Sequence, residues 1–152
     1  MPNSKIKMFA ICLLLSSVFN VVVHAQDNYP PVQPLIATSK TIIGQAFEYP
    51  GGDPAISAAI VTMLPGHSTG WHEHDAPLFA WILEGEVTVD YGPDGKRTYR
   101  QNDAFVEAFR SAHNGTNTGK GIARILAVFA GSHDVKDTVM EDEIAKIKPS
   151  VD

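Results

Sequence analysis

An all-β sandwich or closed barrel is the fold that this sequence predicts, and three observations predict it. Short apolar segments recur at roughly eight- to twelve-residue intervals. Glycine, proline or asparagine stands at each break between them, drawn from 12 Gly and 10 Pro in all; that composition suits strands and turns better than a helical bundle. The chain has 152 residues, 44% of them apolar, enough for one domain with one buried core.

The strands are expected in order as follows. Thr41–Tyr49 is the first, closed by Pro50-Gly51-Gly52-Asp53-Pro54. Ala55–Leu64 is the second, stopped by Pro65-Gly66. A short polar strand spans Gly70–His74, and an apolar one spans Leu78–Leu83. Glu84-Gly85 turns the chain into Val87–Tyr91, and Gly92-Pro93-Asp94-Gly95 makes a hairpin to Arg97–Arg100. Asn102-Asp103 forms the next turn before Ala104–Phe109. Ser111–Gly121 reads as a polar loop, and Ile122–Phe129 as a long apolar strand. Only Val139–Lys148 carries a helical period, with Met140, Ile144 and Ile147 at i, i+4 and i+7 and three acids in its first turn.

The two ends lie outside this barrel of residues 41–131. Lys5 and Lys7 precede an apolar run from Met8 to Val23, and Val23-His24-Ala25 has small residues where a signal peptidase reads. Residues 1–25 therefore read as a secretory signal peptide, and the protein is expected to be exported, periplasmic or secreted. The proline-rich stretch 26–40 reads as an extended arm, and 132–152 as a tail ending in the short helix. Removing Lys5 and Lys7 with the leader takes the formal charge from −5 to −7. Such an acidic chain disfavours nucleic acid and anionic membranes as partners. Cys12, the sole cysteine, would leave with the leader, so no disulfide can form afterwards.

Five histidines follow the leader: His67, His72, His74, His113 and His133. His72 and His74 lie two apart in a predicted strand, so their side chains share a face, with Cβ atoms about 6.5 Å apart. Two imidazoles so placed can converge on one metal ion. A pair of surface histidines on an edge strand would show the same spacing. The pair precedes an apolar strand that needs burial, and buried imidazoles without partners are costly. His67, in a Gly-His-Ser-Thr-Gly loop, and His133, after the last strand, read as surface residues.

At these residues the sequence resembles the cupins. Their first motif is Gly, five residues, His-x-His, three or four residues, Glu, six residues, Gly. Here Gly66, five residues, His72-Glu73-His74, three residues, Leu78, six residues and Gly85 follow that pattern. Their second motif is Gly, five residues, Pro-x-Gly, two residues, His, three residues, Asn. Here it reads Asn102, five residues, Ala108-Phe109-Arg110, two residues, His113, three residues, Asn117. The resemblance implies a double-stranded β-helix, also called a jelly-roll barrel, with a short C-terminal helix here. It implies metal ligation by His72, His74 and His113, a structural role for Asn117, and a homodimer.

The departures carry information. Leu78 stands where the family has a metal-binding Glu, which leaves a three-histidine set as in the cupin dioxygenases. Ala108 and Arg110 imply a different loop before His113, whereas Asn102 tolerates the turn conformation of Gly. Glu107 is expected to face inward with Phe105 and Phe109, as a fourth ligand, a partner to a metal histidine or a general base. The opposite arrangement would bury Ala104, Val106 and Ala108 instead. The chain also resembles small exported bacterial cupins that read Phe-Val-Glu before His-Asn-Gly-x-Asn.

The resulting expectation is one divalent transition metal, iron or zinc foremost, with nickel, copper and manganese also open. The protein would act on a small molecule through that metal, with dioxygenase chemistry favoured over hydrolase, lyase or isomerase chemistry. The alternative is a barrel that binds a small ligand or a metal without turnover.

Overall fold

The computed structural model describes residues 31–143. The leader expected at 1–25, the start of the arm and the tail beyond Glu143 lie outside them. Contacts cluster the chain from Gln33 onward into one unit, and that unit is the one described here.

Its strands are β1 (Pro54–Met63), β2 (His72–Glu73), β3 (Leu78–Glu84), β4 (Glu86–Asp90), β5 (Lys96–Arg100), β6 (Ala104–Val106), β7 (Asn114–Asn117), β8 (Ala123–Ser132) and β9 (Val139–Met140). A single 3₁₀ turn, Gly92–Asp94, closes the hairpin between β4 and β5. The strands form a four-stranded sheet in the order β1-β8-β3-β6, a three-stranded sheet β5-β4-β7, and the pair β2-β9. Every pairing is antiparallel. The two larger sheets supply one shared core: Ala80, Ile82, Phe105 and Ala123 from one, Val87, Val89 and Tyr99 from the other. This is the all-β barrel that the apolar segments predict.

Register decides which side chains see the interior. In the four-stranded sheet, Ala59 pairs with Ala127, Ala127 with Ala80, and Ala80 with Phe105. Residues directly opposite one another share a face, so this row points inward together. The neighbouring row, Ile60–Leu126–Trp81, points outward. A slip of one residue would exchange the two faces.

Three expectations need correction. Thr41–Tyr49 is not a strand: the chain folds back at residues 42–44, with a single bridge between Lys40 and Ala46. Its alternation is satisfied by a turn, in which the Thr41 amide donates to the Gln45 carbonyl at 2.8 Å. Ser111–Gly121 is not wholly loop, because Asn114–Asn117 pairs with β4 as β7. Its polar residues form a strand through ladder bonds that no apolar pattern announces. Val139–Met140 is strand, paired with Glu73 and His72; helix begins only at Glu141, and the rest of the predicted helix lies outside the described residues.

Two motif positions hold this frame. Gly85 turns β3 into β4 at φ +79°, and a Cβ there would lie 2.4 Å from the Ile122 carbonyl oxygen. Asn117, fully buried at the end of β7, donates to the carbonyls of Met63 and Gly121 at 2.9 Å each and accepts from the Gly119 amide at 2.9 Å. That is the structural role expected of it. Asn117→Ala leaves those three groups without their partner and is expected to cost about 2–4 kcal/mol, read as a lower urea midpoint at unchanged slope.

Candidate metal centre

His72 and His113 come together through the backbone. Each donates its amide to the other's carbonyl, at 3.0 Å and 2.9 Å, in an isolated antiparallel bridge. Such a pair puts both side chains on one face. His74, two residues beyond His72, returns to the same face, and its carbonyl accepts the Arg110 amide at 2.9 Å. The three rings form a nearly equilateral triangle, with centroids 4.9 Å, 4.5 Å and 5.0 Å apart. One nitrogen from each lies within 4.8 Å of the other two, and all three residues are buried. His67 and His133 are exposed and take no part.

The hydrogen bonds fix which nitrogen carries the proton. Nδ1 of His72 faces the Gly70 carbonyl, Nδ1 of His74 the Asp137 carbonyl and Nδ1 of His113 the Ser111 carbonyl, each at 2.9 Å. A carbonyl only accepts, so each Nδ1 is protonated and donates. Each Nε2 of a neutral ring then presents a lone pair. Burial lowers the pKa of all three histidines, that of His74 to about 3, with the neighbouring rings of His113 and His72 adding to it. At neutral pH the cluster is three neutral donors.

His113 Nε2 is buried and has no hydrogen-bond partner among the described residues. Glu107 Oε2 lies 3.9 Å from it. A lone pair facing a carboxylate is unfavourable unless a cation or a proton stands between them. Three inward Nε2 lone pairs around a point that lacks a donor are the donor set of a divalent transition metal. Carbonyl acceptors behind each ring are the usual support for such ligands.

Glu107 does face the interior, as expected. Its amide donates to the Leu78 carbonyl at 2.9 Å, which continues the β3–β6 register and sets Glu107 opposite Leu78. It is buried, and with Phe105 it lines the cavity in front of the histidines. Val106 and Ala108 are buried as well; β6 ends at Val106, so strand alternation does not extend to Ala108. Burial pushes the Glu107 pKa up to about 7, against the Ala108 amide (2.7 Å from Oε1) and the Tyr91 side chain, which favour the carboxylate. Glu107 stands outside the group whose donor atoms all lie within 4.8 Å of one another.

A pH test follows for the metal-free protein. The folded state holds the Glu107 proton up to about pH 7, whereas an unfolded carboxyl releases it near 4.5. Glu107 therefore contributes a loss of stability as pH rises from 4.5 through 7, opposed up to about pH 6.5 by the three buried histidines, whose folded pKa values are lowered. Glu107→Gln is expected to remove that contribution, so that the stability difference between the two proteins changes by about 3 kcal/mol between pH 4 and pH 8, measured by urea unfolding across the pH range.

The comparisons agree with this architecture. The family model of the cupin domain matches residues 59–129, a span that includes all three histidines. Residues 59–129 form a cupin domain. Among solved structures, the cupin fold here is similar to an oxalate decarboxylase of Lactobacillus farciminis in complex with formate. The two are 23% identical with a TM-score of 0.50, over 62% of this chain and 29% of that one. It is also similar to an oxalate oxidase in complex with glycolate, at 25% identity and TM-score 0.48, over 56% of this chain and 45% of that one. Oxalate decarboxylase of Bacillus subtilis gives 24% identity and TM-score 0.49, over 62% of this chain and 26% of that one. The cupin spans less than half the length of each. No curated protein matches the chain.

Within the cupin, both replacements of motif glycines keep the left-handed backbone. Asn102 has φ 75° and Arg110 φ 51°. The Arg110 amide donates to the His74 carbonyl at 2.9 Å, and its side chain lies 4.7 Å from the Phe109 ring centroid and 3.6 Å from Asp75. Leu78 lines the cavity where the family motif has a carboxylate, and Glu107 offers one from the next strand.

Sequence reasoning missed two parts of the site. Tyr91 and Tyr99 share a buried hydroxyl–hydroxyl hydrogen bond of 2.9 Å behind the His113 ring. Alternation from Val87 and Val89 could have placed Tyr91 inside. The second is the segment 137–140, whose Asp137 carbonyl orients His74 and whose Thr138 and Met140 line the cavity. No local pattern announces it, because a two-residue strand exists only through its partner.

Proposed function

We propose that His72, His74 and His113 bind one divalent transition metal and that the cupin uses it to act on a small molecule. The observation that carries this reading is the shared tautomer: three Nδ1–H groups tied to carbonyls, three Nε2 lone pairs turned on one point, and one of them buried without a partner. Three neutral imidazoles suit iron(II) or zinc first, and nickel, copper and manganese next. Bound there, such an ion supplies Lewis acidity and open coordination positions. The chain's own contribution is to hold the substrate in the apolar cavity, exclude water, and accept a proton at Glu107, the carboxylate beside His113.

Dioxygenase chemistry is the reaction class we favour, since three histidine ligands leave room for substrate and O₂ together. O₂ consumption by iron-loaded protein with diketones, thiols and phenols tests it. Turnover with one class supports the enzyme; tight binding without turnover under any metal would make the protein a ligand-binding cupin instead.

Two further readings complete the proposal. The leader at 1–25 would export the protein and leave Gln26 as its N-terminus, which mass spectrometry of the secreted form checks. The outward sheet face would pair two copies. Ile56 and Ile60 of the edge strand β1 are 71% and 50% exposed, beside the partly covered Leu126 and Trp81, and an apolar sheet edge invites pairing. Ile60→Lys is then expected to shift the light-scattering mass from dimer to monomer while leaving metal content unchanged.

A further inference from the structure

The cavity in front of the histidines is about 340 Å³, and its chemistry is divided. Its polar lining is the three imidazoles, Glu107 and the side chains of Thr69 and Thr138. The rest is apolar, with Leu78, Ile82, Phe105, Ile125 and Phe129 as the bulky walls. Among the described residues, no Lys or Arg lines it. Arg97 and Arg110 are committed elsewhere. Arg97 donates to the Ile42 carbonyl and lies 5.7 Å from the Tyr91 ring centroid. The Arg110 side chain is half exposed and faces Asp75.

These walls treat charge and apolar surface oppositely. A carboxylate placed away from the histidine end would lose its hydration, meet no cation and share the cavity with Glu107. An apolar ring in the same place would cover the leucine, isoleucine and phenylalanine side chains and release their water. Leu78 sharpens the contrast, since it sits opposite Glu107 and turns one side of the histidine cluster into apolar contact surface.

We infer that the cavity selects a neutral small molecule with one oxygen donor at one end and an apolar body of about the bulk of a substituted phenol, and that it rejects molecules bearing a second, anionic end. The oxygen donor rests on the metal reading above; the preference for an uncharged apolar body rests on the walls alone.

The test uses three compounds titrated calorimetrically into the purified protein: 4-ethylphenol, 4-hydroxybenzoate and oxalate. Zinc content is measured on the same samples, and the titrations are run with and without zinc. 4-Ethylphenol is expected to bind at least tenfold tighter than 4-hydroxybenzoate and than oxalate. Ile125→Ala, a change at a partly buried wall position, is expected to weaken 4-ethylphenol several-fold with zinc content unchanged. In Ile125→Lys the gap between 4-ethylphenol and 4-hydroxybenzoate is expected to narrow, because the wall then offers a cation. Equal or tighter binding of 4-hydroxybenzoate or oxalate to the zinc-loaded protein overturns the inference, as does no detectable binding of 4-ethylphenol. Failure to take up zinc would instead count against the metal centre, and the order of the two phenols in the zinc-free barrel would still decide what the walls select.

Discussion

Replacing His113 with alanine is expected to take bound metal from one ion per chain to almost none and to abolish any metal-dependent turnover. Loss of a hydrogen-bonding partner behind a metal ligand already costs roughly 10–100-fold in affinity. Loss of the ligand itself should exceed that, so affinity should drop by more than about 100-fold. Elemental analysis of protein purified without a histidine tag reads the result directly. His67→Ala is the matched control, since His67 is exposed and stands outside the cluster. Stability separates the ligand role from a packing role. The metal-free His113→Ala protein should remain folded, because the alanine removes the buried Nε2 that lacks a partner. Full metal content in His113→Ala would end the three-histidine reading.

Gly85→Ala is expected to be the most damaging substitution for the fold. Two costs add. The backbone sits at φ +79°, where any residue with a Cβ is strained, and the new methyl would stand 2.4 Å from the Ile122 carbonyl oxygen and 2.9 Å from the Ala123 Cα. Both of those are backbone atoms where the chain enters β8, so neither can turn aside as a flexible side chain would. Strain and overpacking together should cost about 3 kcal/mol or more, seen as a melting temperature lower by roughly 10 °C or as insoluble protein. Gly66→Ala provides the calibration. Gly66 has φ +78°, but nothing lies within 4 Å of its would-be Cβ. It should lose only the conformational share, about 1 kcal/mol. Equal losses at the two positions would mean that the contact with Ile122 is not what makes Gly85 necessary.

Much of the site could be read from residue order. The spacing of His72 and His74 places both side chains on one face of any strand, whatever the strand packs against. Gly85 and Asn117 carry geometric demands that few other residues meet. The inward turn of Glu107 was legible from the alternation of Phe105 and Glu107, although the strand proved shorter than expected. Outside the site, the apolar strands β1, β3, β4 and β8 were legible with boundaries shifted by a residue or a few, because burial of one face imposes a period of two.

Sequence alone determined the residue types, the turns and the pair of histidines on one strand, since these depend on local geometry and on side-chain chemistry. Tertiary structure decided the rest. The bridge between His72 and His113 joins residues 41 positions apart and has no local signature. The same holds for β7 and β9, whose polar or helix-like sequences become strands only because a partner offers them ladder bonds. The tautomers, too, follow from carbonyls that folding brings to each Nδ1. A period along the chain reports which face is buried; it carries no record of which distant backbone will lie across from it.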